Sequence, residues 1–260
     1  MINPGQHTLA RLRGFIVPLA LLSLAEIVYA MNDVHSEIIA PPHEVLRALS
    51  TIAMDGTLWN ATMQTLAGAM AGLSIGFGLG LLLGAFLGIS SFLDRLLFVS
   101  IEIVRALPSI AFIPIAMLIF GFGYRMELSI VAFATFWPTL LLTRSAVSSI
   151  EPRLLEVSRA LGFGIRASIW KIVLPAALPR VFVALRLAAS VALIVAVTVE
   201  VTANPLGLGY GLMSAQQSLQ PATMLALLCW LAAVGWTLNS ALLWTEKRLF
   251  GRMTSTDFTR

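Results

Sequence analysis

Apolar residues in this chain come in long unbroken runs, with polar residues pushed into the gaps. Six runs, at 14–31, 61–89, 96–120, 127–147, 182–203 and 221–244, each reach the ~20 residues a helix needs to cross the hydrocarbon core of a bilayer. None alternates with period two, so strands are excluded. The pattern predicts an all-α polytopic membrane protein with six transmembrane helices. It divides the chain into a tail, first helix and outer loop over 1–60, a five-helix core over 61–250, and a short tail over 251–260.

Composition agrees with that reading. Of 260 residues, 58% are hydrophobic and 12% charged, whereas a soluble domain carries about 25% charged residues. The net charge of +4 would invite a nucleic-acid partner if the basic residues shared one face, but they follow topology instead. With the N-terminus inside, fourteen of the seventeen Lys and Arg residues fall on the cytoplasmic side, including Arg95, Arg144, Lys171, Arg180, Arg186, Lys247 and Arg248. The Lys/Arg bias therefore predicts both termini in the cytoplasm. The loop over 32–60 carries Asp33, Glu37, Glu44 and Asp55, which fits the outer side.

Arg11 and Arg13 before the first run, and Val28-Tyr29-Ala30 near its end, resemble a cleavable signal. The length of the run and Glu26 near the cut favour a retained anchor. His7, His35 and His43 lie outside the long runs and read as solvated loop residues, and the single cysteine, Cys229, offers neither disulfide nor thiolate metal site.

Two features mark the middle of the chain. Gly68, Gly72, Gly76, Gly80, Gly84 and Gly88 form a four-residue ladder, the spacing that lets membrane helices approach closely. At 3.6 residues per turn the row drifts by about 40° per step, so its members are expected to face different neighbours. Pro108 and Pro114 are expected to kink the third span, and Gly121-Phe122-Gly123 to form the outer turn after it.

The inner connection over 148–181 predicts two short helices. Pro152 suits a first helical turn. Leu154, Leu155, Val157 and Leu161 leave an apolar face beside Arg153, Glu156 and Arg159, and Gly162 or Gly164 supplies a left-handed end. A second helix over 165–174 is expected to stop near Pro175, with Pro179 opening the next span. On these residues alone, an amphipathic hairpin resting on anionic lipid is an equal reading.

A spacing match separates the two. Glu156, Gly162, Ile172, Leu174 and Pro175 reproduce the E-A-A-x3-G-x9-I-x-L-P pattern. The segment thereby resembles the EAA loop of permease subunits of binding-protein-dependent ABC importers, with Val157 and Ser158 where the pattern has alanines. Arg105-Ala106-Leu107-Pro108 with Pro114 and Gly121-Phe122-Gly123 is similar to the nitrate, sulfonate and taurine branch. So are Leu178-Pro179 through Leu185-Arg186, Glu200, Gly207-Leu208-Gly209, and Thr65-Leu66 with Gly72, although an arginine common in that branch is Gly68 here.

The resemblance covers about residues 60–250. It implies a type I ABC importer permease-like bundle in the bacterial inner membrane, with a pore of two permease copies, two cytoplasmic ATP-binding subunits and a periplasmic substrate-binding protein. It also implies that Glu156, Val157, Ser158, Arg159, Ala160, Gly162 and Pro175 couple the bundle to the ATPase. The branch handles small anions such as sulfonates, taurine and nitrate.

Charge inside the runs is costly and functional by default. Glu102 and Arg105 either pair on one helix face or line the translocation pathway; Glu200 either lines the outer gate or caps the loop Asn204–Gly211. An intramembrane enzyme would need histidine or paired aspartates in the spans, and neither is present. An ion-coupled carrier without an ATPase would want repeated halves with broken helices, and no repeat is visible. No G-x4-G-K-[ST] loop occurs, so no cofactor or nucleotide site is expected on this chain.

Overall fold

The computed structural model of the chain describes residues 40–151 and 160–251, together with Glu26, Arg153 and Glu156. Apart from Glu26, the first apolar run lies outside the described residues, as do Val157, Ser158 and Arg159. All regular structure among the described residues is helical. In chain order, α1 is Pro42–Met54, α2 Thr57–Ile89, α3 Ser91–Arg105, α4 Ile113–Phe120 and α5 Tyr124–Ser148. They are followed by α6 Ile165–Ser168, α7 Leu174–Thr202, α8 Gly207–Gln217 and α9 Pro221–Phe250.

Four helical stretches are long and apolar enough to cross a membrane: Thr57–Ile89, Tyr124–Ser148, Ile169–Thr202 and Pro221–Phe250. A fifth span results if the bent pair Ser91–Arg105 and Ser109–Phe120 is counted as one. The expected single kinked helix over 96–120 is therefore corrected to two helices meeting at 79°. Pro108 lacks an N–H and pushes Leu107 out of the helical region. The chain becomes extended at Pro108 (φ −66°, ψ 124°) before a 3₁₀ turn over Ser109–Phe112. Pro114 causes no kink, because it sits in the first turn of α4, where no intrahelical N–H bond is due.

The chain packs as two compact units, Met1–Trp59 with Gly211–Trp230, and Asn60–Tyr210 with Leu231–Arg260. The first unit holds α1, which occupies part of the stretch expected as outer loop. Pro41 precedes the helix in extended conformation and Pro42 takes its first turn. Trp59 donates through Nε1 to the Ala53 carbonyl at 3.2 Å and meets the Trp230 ring edge-on at 5.3 Å.

The second unit is built around α5. The glycine row of α2 does not fan out to several neighbours; all six members lie on α5. A Cβ placed on Gly68, Gly72, Gly76, Gly80, Gly84 and Gly88 would strike, in order, Glu127, Val131, Thr135, Thr139, Thr143 and Val147. Two rows of period four meet step for step, which is the interdigitation of i±4 ridges. The 40° drift is absorbed because helices packed through four-residue repeats wind around each other. α7 meets α5 with a small-residue row of its own: Ala184, Ala188, Ala192 and Ala196 are fully buried, followed one step later by Glu200. Ala69, Leu73, Ile113, Met126, Ile130, Val131, Val195 and Val199 close the apolar core around these rows.

The inner connection also differs from expectation. No break occurs at Pro175: α6 passes through a π turn over Ile169–Val173 directly into α7. The Leu174 N–H reaches back to the Ile169 carbonyl, five residues away, and the widened turn sets Pro175 in a first-turn position where its missing N–H costs little. Pro179 then lies inside α7 rather than at its start.

Candidate functional site

Polar side chains gather at the two ends of the α2–α5–α7 packing. At the end that carries the basic residues, Arg144 grips Asp94 with both arms of its guanidinium, through Nε to Oδ1 and through Nη2 to Oδ2 at 2.8 Å. The same guanidinium lies 5.5 Å from the centre of the Phe98 ring. Arg180 donates to the Ser149 hydroxyl, and Arg186 reaches Glu246 at 2.9 Å.

The inner connection leaves from this end. Arg153, Glu156 and Ala160 are helical and exposed. Gly162 is the residue that takes the left-handed conformation, with φ +67°; Gly164 does not. Leu161 and Trp170 are open to the surroundings, and Lys171 lies 4.8 Å from the centre of the Phe163 ring. Pro175 is exposed on the far side of the π turn. Of the described members of the expected coupling set, Glu156, Ala160 and Gly162 are exposed before α6, and Pro175 is exposed in the first turn of α7.

The opposite end is polar and closed. Thr65 on α2, Glu127 on α5, Glu200 on α7 and Asn204 in the following loop are each no more than 2% exposed. Glu200 accepts the Gly209 N–H at 2.8 Å and the Thr65 hydroxyl at 3.0 Å through the same oxygen. Thr65 in turn accepts the Leu208 N–H at 2.8 Å, and the Gln64 side-chain carbonyl accepts the Gly207 N–H at 3.0 Å. Asn204 donates to Glu127 at 2.5 Å. The first-turn N–H groups of a helix have no intrahelical partner; in α8 they are taken up by side chains of α2 and α7.

Glycine makes room for both carboxylates. A Cβ at Gly207 would lie 2.0 Å from the Glu200 carboxylate, and one at Gly68 would lie 2.0 Å from that of Glu127. Gly207 also has φ +89°, so two independent constraints demand glycine there. Of the two readings open for Glu200, the geometry contains the cap on the loop and α8.

Sequence reasoning did not single out Glu127, Gln64 or Asn204. Glu127 begins an apolar run and so looks like an interfacial residue. The signal that could have found it is the row Glu127, Val131, Thr135, Thr139, Thr143, Val147, four residues apart and matching the glycine ladder in length.

Glu102 and Arg105 lie in the last turn of α3, immediately before the 79° break. Arg105 donates to one Glu102 oxygen through Nε at 2.9 Å and Nη2 at 2.5 Å. Both side chains remain over one-third exposed. Among the described residues, no group of three or more His, Cys, Asp or Glu side chains is placed to hold a metal ion.

Known proteins resemble this chain in sequence and in fold. A family profile described as "Binding-protein-dependent transport system inner membrane component" matches residues 76–254. The taurine transport system permease protein TauC of Escherichia coli (strain K12) is 28% identical over 214 residues, covering 80% of this chain and 78% of TauC. A protein of Bacillus subtilis (strain 168) assigned as the aliphatic sulfonates transport permease SsuC is 26% identical over 247 residues, covering 95% and 90%. A chain of the inward-facing MetNI methionine ABC transporter superposes with a TM-score of 0.64 at 21% identity, over 71% of this chain and 92% of that one.

Proposed function

The chain belongs to the family of binding-protein-dependent transport system inner membrane components and is the membrane-spanning permease subunit of an ABC importer; on that premise we propose that two copies form the translocation pathway for a small anion of the sulfonate or taurine class. As a transport component it works with ATP-binding subunits and a substrate-binding protein, and ATP hydrolysis belongs to the former. In this reading two ATP-binding subunits dock at the inner surface and the binding protein delivers substrate outside. The Lys/Arg bias puts both termini in the cytoplasm in this reading, and six spans result if the bent α3–α4 pair is counted as one and the apolar run at 14–31 is added. The substrate class is supported by similarity to permeases named for taurine and aliphatic sulfonates.

One observation carries the coupling role. Glu156, Ala160 and Gly162 are exposed in the segment that leaves α5 beside Arg144 and Arg180, and that segment ends in a left-handed glycine. An exposed helix that stops abruptly presents a knob to a partner's groove. We assign Glu156, Val157, Ser158, Arg159, Ala160, Gly162 and Pro175 to this contact. Glu102 and Arg105, exposed at the break between α3 and α4, are assigned to the pathway, with Glu200 holding its outer end in shape.

The test is purification of the chain from its own membranes in mild detergent, with identification of what accompanies it. A near-stoichiometric ATP-binding subunit is expected with the wild type and absent from a Glu156→Lys, Gly162→Val double variant that still inserts normally. A wild-type chain that brings down no ATPase would defeat the assignment. Retention of the ATPase by the double variant would move the docking face elsewhere.

A further inference from the structure

The Thr65–Glu127–Glu200–Asn204 cluster has no place in the coupling and pathway assignments beyond shaping the bundle's end, yet it buries two carboxylates, each no more than 2% exposed. An ordinary helix start supplies its own cap from the residue just before it. Helix α8 does not. Its Gly207, Leu208 and Gly209 N–H groups go to Gln64 and Thr65 of α2 and to Glu200 of α7, and the loop ahead of it is tied by Asn204 to Glu127 of α5. The start of α8 is satisfied only when α2 and α7 stand in the right register, and the loop ahead of it is held only when α5 does too.

The bonds leave little tolerance. Those from α8 measure 2.8 to 3.0 Å, and a contact of about 3.6 Å no longer counts as a hydrogen bond. A slide of α2 against α7 by well under one helical turn would therefore release the segment. Thr65 is the shared element, accepting from Leu208 while donating to Glu200, so one hydroxyl links the loop to both helices. The alanine row Ala184, Ala188, Ala192 and Ala196 and the glycine steps from Gly72 to Gly88 make none of these bonds, which lets the cluster open while the core below it stays packed.

We propose that Thr65, Glu127, Glu200 and Asn204 are positioning residues of the transport cycle, forming a latch that holds the segment Ala203–Tyr210 in place only while α2, α5 and α7 keep one register. The latch rests on the permease reading given above. It makes this segment the element through which helix movement is felt at the end remote from the ATPase.

The experiment uses the complete transporter, reconstituted with its ATP-binding subunits and its binding protein charged with taurine. Two readouts are taken: stimulation of ATPase activity by the charged binding protein, and amide exchange of the peptide spanning residues 204–211. Thr65→Val keeps the shape and removes the hydroxyl. It is expected to speed exchange in that peptide at least tenfold and to abolish stimulation, with basal ATPase and exchange across residues 184–199 unchanged. Thr65→Ser in place of valine is expected to keep both readouts at the wild-type level, and Glu200→Gln in an otherwise wild-type chain, which keeps an acceptor for Gly209, to keep most of each. Faster exchange with stimulation intact would overturn the latch and leave the permease reading standing. So would loss of stimulation that serine does not rescue. A wild-type chain that recruits no ATP-binding subunit would overturn both.

Discussion

Adding one methyl group at Gly76 separates the two contributions of the glycine ladder. A Cβ there would lie 2.3 Å from the Ala132 carbonyl oxygen and 2.1 Å from the Thr135 hydroxyl. The carbonyl is backbone and has no rotamer to escape into. The hydroxyl is held by the Val131 carbonyl at 2.8 Å inside the core. Ordinary contact begins at 3.4 Å, so α2 and α5 must part by about 1 Å at this level. Overpacking of this kind costs about 1–3 kcal/mol, against a gain of about 1 kcal/mol from replacing glycine by alanine within a helix.

Gly78, two residues on, is the internal control, because a Cβ there meets nothing within 4 Å. Gly78→Ala therefore reports the propensity gain alone, and subtracting it from Gly76→Ala isolates the steric cost. For a chain of this size about 1 kcal/mol moves the melting temperature by roughly 2–4 °C, so Gly76→Ala should melt roughly 2–12 °C below Gly78→Ala. The measurement is loss of helical circular dichroism on heating in one detergent. Equal melting points, or a higher one for Gly76→Ala, would refute the close-packed backbone contact.

Three further expectations follow from the ends of the bundle. Asp94→Ala strands an Arg144 that is only about one-quarter exposed, and should destabilise by about 1–3 kcal/mol, between the values for exposed and buried pairs; an Arg144→Asp, Asp94→Arg exchange should recover part of the loss in the same melting assay. The Asp55 carboxyl accepts from the Thr57 hydroxyl and N–H, which holds its pKa below the ordinary value of 3.8. Its contribution is complete above that value and lost as pH falls through the depressed one, so protection against amide exchange at the start of α2, taken relative to the intrinsic rate at each pH, should fall below about pH 3.8, and this step should be missing in Asp55→Ala. Arg105→Gln removes the guanidinium that pairs with Glu102 and should cut taurine uptake at least tenfold while assembly persists; unchanged uptake in proteoliposomes would leave the pair with a structural role alone.

Long apolar runs announced the spanning helices, because length and hydropathy suffice for that. The left-handed end at Gly162 was legible for a similar reason: few residues but glycine take that conformation. Proline was harder to read. Pro108 breaks a span, Pro114 is absorbed in a first turn, and Pro175 is carried by a π turn, so the same residue type has three outcomes set by what precedes it. The buried cluster was half visible: Thr65, Glu200 and Gly207-Leu208-Gly209 stood out as separate resemblances, and only the fold joins them. Glu127 stayed hidden because a carboxylate at the end of an apolar run looks the same whether it faces headgroups or a neighbouring helix.

The six-step seam between α2 and α5 has a mechanical meaning as well as a packing one. Side chains normally act as springs between helices, since a rotamer change can take up a displacement of an ångström or so. Where glycine meets carbonyl oxygen and the Cβ atoms of valine and threonine, there is no such slack. The two helices are bound to travel as one stiff beam, from the Asp94–Arg144 clasp at one end to Glu127 at the other. A displacement of either helix at one end is carried with little slack to the other, and a single misplaced methyl group would loosen the beam without touching either end.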